Sequence, residues 1–509
     1  MPSPATAAPP ARAGAREWAA LVVLMLPVLL ISVDNTVLNF ALPEISRELR
    51  PTGTQLLWMV DAYPLVLAGL LVPMGSLGDR VGRRRLLLVG STGFAVVSAL
   101  AAFAPTGAVL VAARALLGLF GSMLMPATLS LLRNIFHDAT QRRAAIAVWA
   151  TGFSAGGALG PVLGGLLLEH FWWGSVLLIA VPVLLPLLVL APVLVPESRN
   201  PAPGPVDVLS AVLIMTAMVA LVHGLKDLGA HGPSPAVAAA VLLAAAAGTL
   251  FVRRQLRRPV PMLDLRLFRH APFTGGLLNN LVASTTFIGF LFFVSQYLQL
   301  VQGVPPMRAG LALLPGAAVT IVSGLLAVHV VGVVRPALVL GGGLLVMASG
   351  FLLVLLGDLS GGTLLVVALM VIGLGSGAAQ TIAGDLILAE VAPEQAGAAS
   401  AISETAYELG AGLGVAVLGT AVTATYADRV VPPPGLAPDQ AATAAETLGG
   451  AVDVAGALDP AAAGQLLASA VAAFEAGMHL SAGIGAGLLG VSAVVVALLL
   501  RRVPRLRRR

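Results

Sequence analysis

Apolar runs of about twenty residues follow one another along almost the whole chain, separated by short polar segments. About twenty residues is what an α-helix needs to cross the hydrocarbon core of a bilayer. About fourteen runs reach that length, with cores near 18–40, 56–77, 86–104, 107–131, 144–167, 175–195, 207–225, 235–252, 272–298, 309–331, 337–356, 362–388, 397–424 and 480–500. The chain therefore reads as an all-α, polytopic membrane protein. Composition agrees: 58% of the 509 residues are hydrophobic and 10% charged, against about 25% charged in soluble domains.

The net charge of +5 and basic pI would hint at nucleic acid in a soluble protein. Here the arginines cluster between apolar runs, so no nucleic-acid partner is expected. With both termini on the cytoplasmic side, the even-numbered connections are cytoplasmic. They carry GDRVGRRR (78–85), RNIFHDATQRR (133–143), PESRNP (196–201), RRQLRRPVPMLDLRLFRH (253–270), VVRP (333–336) and VAPEQAG (391–397), with RRVPRLRRR (501–509) at the end. The odd connections hold only Arg47, Arg50, Lys226, Arg308 and Arg429. That imbalance has the sign that the positive-inside rule requires. The first apolar run lacks a small-residue cleavage site and is read as a retained helix. There is no cysteine, which excludes disulfide and thiol chemistry.

The spans divide as 6+2+6. A tail (1–17) leads to a six-helix bundle (18–197), then to two inserted helices with basic linkers (198–270). Helices 9–13 (271–424), an outer loop (425–479), the last helix (480–502) and a basic tail (503–509) complete the chain. The outer loop is rich in Ala and acidic, with Asp428, Asp439, Glu446, Asp453, Asp459 and Glu475 against Arg429 alone. It reads as a small helical hairpin or mobile loop, or as a partial lid whose acidity attracts cations. Paired six-helix bundles around a central cavity are a transporter plan.

Four motifs sharpen this. GSLGDRVGRRR (75–85) offers Gly75 and Gly78 for close packing and Gly82 for a tight turn. Its Asp79 can accept hydrogen bonds from a helix end or from Arg83 and Arg84. ARALLGLFGSMLMPATLSLLRNIF (113–136) puts Arg114 inside a span. GFSAGGALGPVLGG (152–165) spaces Gly156, Gly160, Gly164 and Gly165 for close helix approach, with a bend at Pro161. VDNTVLNFALPEI (33–45) and WMVDAYPLVLAG (58–69) carry Asp34 and Asp61. In this order the motifs resemble those of the major facilitator superfamily, and within it the fourteen-helix drug:proton antiporters of the QacA, LfrA and SmvA group. SETAYELGAGLGVAVLG (403–419) and the long last outer loop fit that group too. The resemblance implies the facilitator fold with fourteen helices and an inner-gate latch at Gly75, Gly78, Asp79, Arg80, Gly82, Arg83 and Arg84. It also implies an antiporter motif at 156–165 and proton-driven export of lipophilic cations such as quaternary ammonium compounds and dyes. The chain departs from the pattern in two places. The second-half counterpart of the latch, SGLLAVHVVGVVRP (323–336), has no acid. Span 309–331 has no carboxylate either, which counts against divalent cations.

An ionised group at mid-bilayer costs about 2.5–3.5 kcal/mol on insertion scales, so intramembrane acids mark function or pairing. Asp34 lies roughly 24 Å along an outward helix and Asp61 roughly 8 Å from the outer end of the next, so both could face one cavity. Glu404 and Glu408 are spaced i, i+4 on one helix face, and two nearby carboxylates resist full ionisation. Such a pair holds a proton or a cation but disfavours both together, as an exchanger requires. By resemblance, Asp34, Glu404 and Glu408, with Arg114 as relay or gating partner, couple protons, and Asp61 with Glu408 senses substrate charge. The plainer readings are helix–helix hydrogen bonding for Asp34, an interfacial place for Asp61, and a structural ion pair for Glu404, for instance with Arg114. Trp58, Tyr63, Trp149 and above all Tyr407 are candidates to stack on a cation. Asp385 reads as a cap or gate residue.

No HExxH, Gly-x-Ser-x-Gly, P-loop or ligand-spaced His cluster is present, so neither an enzyme nor a metal or other cofactor is expected. A monomer in a bacterial plasma membrane is expected, working on protons and small lipophilic cations. The use of Arg over Lys (only Lys226) with abundant Ala, Gly and Val points to a high-GC organism such as an actinomycete. That origin keeps open a second function, export of a neutral or acidic natural product.

Overall fold

The computed structural model describes residues 13–199, 207–259, 261–330, 333–359, 361–390, 396–501 and 503. They form α1 (Ala15–Leu49), α2 (Gly53–Val81), α3 (Arg83–Ala101), α4 (Gly107–Ile135), α5 (Ala139–His170), α6 (Ser175–Leu194), α7 (Val208–His231), α8 (Pro235–Arg257) and α9 (Ala271–Gln296). Beyond α9 come α10 (Pro306–Val330), α11 (Pro336–Leu356), α12 (Thr363–Ala389) and α13 (Ala396–Gly414). A π-turn, Val415–Gly419, continues α13 into Thr420–Arg429; two short helices, α14 (Pro438–Glu446) and α15 (Leu448–Ala455), and the long α16 (Pro460–Leu500) follow. Thirteen helices among the described residues are long and apolar enough to cross a membrane, and α5 stands among them as a further 32-residue rod.

Local chemistry sets the helix ends. Thr52, Thr106, Ser234 and Asp207 each accept a backbone N–H two or three residues into the following helix, as N-caps do. Asp459 caps α16 with Pro460 at its first position, where the missing N–H costs nothing. Between α2 and α3 the chain turns at Gly82, whose φ of 112° disfavours any residue with a Cβ.

The two halves repeat one packing plan. In the first half α1 packs on α5 and α6, α2 on α4, and α3 on α4 and α6; in the second, α9 packs on α13 and α16, α10 on α12, and α11 on α12 and α16. The halves meet along α2–α13 and α5–α10. The inserted α7–α8 hairpin lies against α2. Leu100, Val189, Val193, Leu242 and Leu356 are exposed on outer faces, as a lipid-facing surface requires. Inside lipid every backbone polar group needs an internal partner, which helices supply.

The outer segment differs from the sequence reading at both ends. α13 runs on to Arg429 and α16 starts at Pro460, twenty residues before its apolar core, where the flank 460–479 is rich in Ala, a strong helix former. Between them α14 and α15 are pinned down: the Tyr426 hydroxyl donates to Ala444 O at 2.7 Å, Arg50 pairs with Asp453 at 3.0 Å, and Gly53 N donates to Glu446 at 2.9 Å. Glu475 accepts from the Tyr297 hydroxyl at 2.8 Å. Much of the acidity read as a cation lure is thus used in contacts within the protein. The VAPEQAG segment lies mostly, and the basic C-terminal tail largely, outside the described residues.

Candidate functional site

The glycines of α5 bring it close to α1 within its own half and, at Gly165, to α10 of the other half. A Cβ at Gly156 would stand 2.6 Å from Ser32 Cβ of α1, and one at Gly164 would stand 3.0 Å from Val37. Gly160 faces Thr36 in the same way. One turn further on, a Cβ at Gly165 would meet the Met307 backbone of α10 at 2.5 Å. Glycine at these positions permits backbone-to-backbone approach between spans. On the other side of the molecule Gly412 and Gly419 of the α13 rod seat against Leu65 and Leu57 of α2. Ser295 of α9 and Gln299, in the π-helical turn Tyr297–Val301 that continues it, donate to the carbonyls of Asn39 and Phe40. These contacts lie in the middle of the molecule or toward the end that carries α14 and α15.

The 75–85 segment, read as a latch from the resemblance, sits at the opposite end, and its polar contacts are within its own half. Asp79 accepts from Arg83 at 2.8 and 3.0 Å. The sequence reading had a facing helix end as an alternative donor; the guanidinium is nearer, one turn away. Arg83 N donates to Ser198 O at 2.9 Å, and Arg84 N donates to Glu197 at 3.0 Å. Glu197 also lies 3.9 Å from Arg85 and fills the space beside Gly82. Gly75 packs against Pro126, Gly78 against Leu86, and Arg80 is exposed. Glu197 belongs to this contact network and was missed in the sequence reading; its only signal was an acid directly after a span.

Between the halves lies a cavity of about 340 Å³, within the usual range of small-molecule sites. Ser32, Asn35, Thr36, Pro161, Asn280, Phe287, Thr320, Ser376, Gln380, Ser403, Glu404, Tyr407 and Glu408 are among the residues of its wall. Glu404, Tyr407 and Glu408 thus share one helix face, as their spacing implied. Glu408 is 1% exposed. Its Oε1 accepts from Asn35 Nδ2 at 3.1 Å, while its Oε2 is buried with no hydrogen-bond partner. Asn280, Ser376 and Gln380 were not foreseen as wall residues, because single amides and hydroxyls in apolar spans leave no pattern.

Four further intramembrane charges form two pairs. Arg114 Nη1 donates to Asp34 at 2.6 Å and its Nε to Met59 O at 3.1 Å, with the guanidinium 4.6 Å from the Tyr63 ring centre. The acidic partner of Arg114 is therefore Asp34, not Glu404. Asp34 is itself buried, and its neighbour Asn35 carries the contact to Glu408. Asp61 and Lys226 form a second pair at 2.9 Å, both side chains wholly buried, with the ammonium 4.0 Å from the Trp58 ring centre. The structure does not bring Asp61, Trp58 or Tyr63 to the cavity wall. α7 continues past the span read at 207–225, to His231, so Lys226 is no loop residue but a buried one, neutralised by Asp61 and roofed by indole. Tyr63 packs edge-on to Phe94. Trp149 donates to Thr128 at 3.3 Å and is not among the wall residues of the cavity.

Comparison with known proteins agrees with this architecture. The family model described as "Major Facilitator Superfamily" matches residues 24–415. The chain is 55% identical to the multidrug efflux pump LfrA of Mycolicibacterium smegmatis, over 96% of this chain and 98% of that one. It is 37% identical to the methyl viologen resistance protein SmvA of Salmonella typhimurium (87% and 90% covered). It is 35% identical to the tetracenomycin C resistance and export protein of Streptomyces glaucescens (96% and 92% covered). Among solved structures, a bacterial homologue of the human lysosomal transporter Spinster, inward-facing and unoccupied, superposes with a TM-score of 0.67 at 17% identity, over 96% of this chain and 97% of that one. A multi-pass helical membrane protein with these relatives is a drug efflux transporter rather than an enzyme, and the chain belongs to the major facilitator superfamily.

Proposed function

We propose that the protein exports lipophilic, mostly monovalent cations from the cytoplasm in exchange for protons. The observation that carries this is a charge count in the membrane. Asp34 is balanced by Arg114 and Asp61 by Lys226. Glu404 and Glu408 line the cavity with no basic partner among the described residues. A buried carboxylate without a counter-ion is stable only when it takes a proton or borrows a cation. A lipophilic cation in the cavity supplies that charge, and Tyr407 between the two acids offers it an aromatic face. The departing proton leaves through the same two carboxylates, so the two ligands exclude one another.

Asp34 and Arg114 act one residue away. Asn35 ties the helix that bears Asp34 to Glu408, so a proton moving between the glutamates and Asp34 would release Arg114 and shift α1 against α13. The contacts between the halves lie in the middle of the molecule or toward the α14–α15 end, which supports an inward-facing state with the latch end, and both termini, cytoplasmic. Exchange of one proton for one monovalent cation moves no net charge and draws about 1.4 kcal/mol per pH unit.

The test is proton release when tetraphenylphosphonium is added to the unbuffered protein in detergent. Wild type should release protons in proportion to bound cation; Glu408→Gln and Glu404→Gln should release fewer. Cation binding with no proton release would refute shared carboxylates. A second reading, export of a neutral or acidic natural product, draws on the tetracenomycin C relative and on the amide and hydroxyl groups in the wall. Under it, transport survives Glu404→Gln and Glu408→Gln.

A further inference from the structure

A second cavity, about 370 Å³ in volume, lies on the other face of α13. Residues 403, 404, 407 and 408 face the first cavity, and 402, 405, 406 and 409 face the second. Its wall draws on both halves and the inserted hairpin: Ala68 of α2, Met218 of α7, Phe251 of α8, Leu278 of α9, Ala406 of α13 and Phe268 of the linker before α9. Thr274 and Thr405 are the wall's hydroxyl residues, and both donate to backbone carbonyls, of Phe268 and Ala401, at 2.8 Å. No charge and no free donor is offered to a ligand, so the contents must be hydrocarbon.

The mouth has the opposite character. Phe268 is 41% exposed and sits on the 3₁₀ turn Leu265–Arg269. In such a turn residues i and i+3 eclipse, which sets Arg266 and Arg269 side by side, both exposed. Arg257, at the end of α8, is exposed as well. Asp207 neutralises their neighbours Arg254 and Arg258, at 3.0 and 3.2 Å. No carboxylate among the described residues pairs with Arg257, Arg266 or Arg269.

An apolar slot with a cationic rim on the linker at the start of a span fits one kind of occupant, because a lipophilic cation would be repelled at the mouth. We propose that this cavity binds the acyl chain of an anionic phospholipid, with the phosphate held by Arg266 and Arg269. Such a lipid touches both halves and the inserted hairpin at once, separated from the substrate cavity by one helix.

Native mass spectrometry of the full chain in detergent tests this, with phosphatidylglycerol and phosphatidylcholine of identical chains added at equal concentration. Wild type should retain phosphatidylglycerol in preference by about thirtyfold, the ratio implied by about 1 kcal/mol for each of two arginines. Arg266→Gln/Arg269→Gln should retain the two lipids equally. Ala406→Phe, which fills the slot, should retain less of both; should it not fold, Ile214→Phe narrows the same cavity. Equal retention by wild type, or an unchanged preference in the double arginine variant, overturns the proposal. So does displacement of bound lipid by tetraphenylphosphonium with the glutamates at 404 and 408 replaced by glutamine, since the slot would then be a substrate site.

Discussion

Lys226→Met tests whether the inserted hairpin is held by charge. Lys226 and Asp61 are wholly buried 2.9 Å apart, and the ammonium lies on Trp58. Removing one partner of a buried ion pair costs about 3–5 kcal/mol, because the other is left charged and unpaired. The same range applies to Asp61→Asn, which strands the ammonium. If the two acted independently, the double variant would lose about 6–10 kcal/mol. If they act as a pair, Asp61→Asn/Lys226→Met leaves neither charge buried, and the loss falls to about 2 kcal/mol, the value of a desolvated cation–π contact. Thermal unfolding in detergent, followed by size exclusion of the heated sample, reads the difference across the four proteins. A double variant no more stable than either single one refutes a structural pair. A double variant as stable as wild type that no longer transports a lipophilic cation also refutes it, and returns Asp61 to the substrate-sensing role the family resemblance implies.

Three further outcomes follow from the same geometry. Arg114→Gln leaves Asp34 buried without its 2.6 Å partner; stability should drop by about 3–5 kcal/mol and return in Arg114→Gln/Asp34→Asn, with proton-coupled transport still lost, as read by thermal unfolding and by dye efflux from vesicles. Burial pushes the Asp207 carboxyl up, but hydrogen bonds from Arg254 and from the hydroxyl and N–H of Ser210 outweigh it and hold the pKa near about 2. A carboxyl lowered from its unfolded value contributes stability that is full above that value and is lost as pH falls through the folded one, so the melting-temperature gap between wild type and Asp207→Asn should be constant near neutrality and close as pH falls toward about 2. Gly160→Val places a branched side chain where Thr36 of α1 already sits; overpacking costs typically about 1–3 kcal/mol, and a variant that melts with wild type would show that α1 and α5 do not approach as closely as described.

How legible the molecule was in its sequence depends on the range of the interaction that fixes each part. The all-helical, many-span character of the chain and the common face of Glu404 and Glu408 follow from composition and from 3.6-residue periodicity, which are local. The glycines at 156, 160 and 164 were legible for the same reason, since close helix approach needs a small residue every fourth position. Charge partners were not, because they join residues far apart in the chain: Asp61 and Lys226 are 165 positions apart, and Asp34 and Arg114 80. Lys226 did carry a signal, as the lone lysine in a chain that otherwise uses arginine. Lysine's compact ammonium fits under an indole and beside one carboxylate, whereas arginine's fork asks for more acceptors than Asp61 alone provides. A charge placed at the end of an apolar run reads as a loop residue only while its counter-ion is unknown. Once Asp61 supplies that counter-ion, Lys226 belongs to the span, and the pair turns the inserted helices from a linker into a part of the first half. Glu404 and Glu408, by contrast, line the cavity with no basic partner among the described residues, which is why the proposed exchange rests on them.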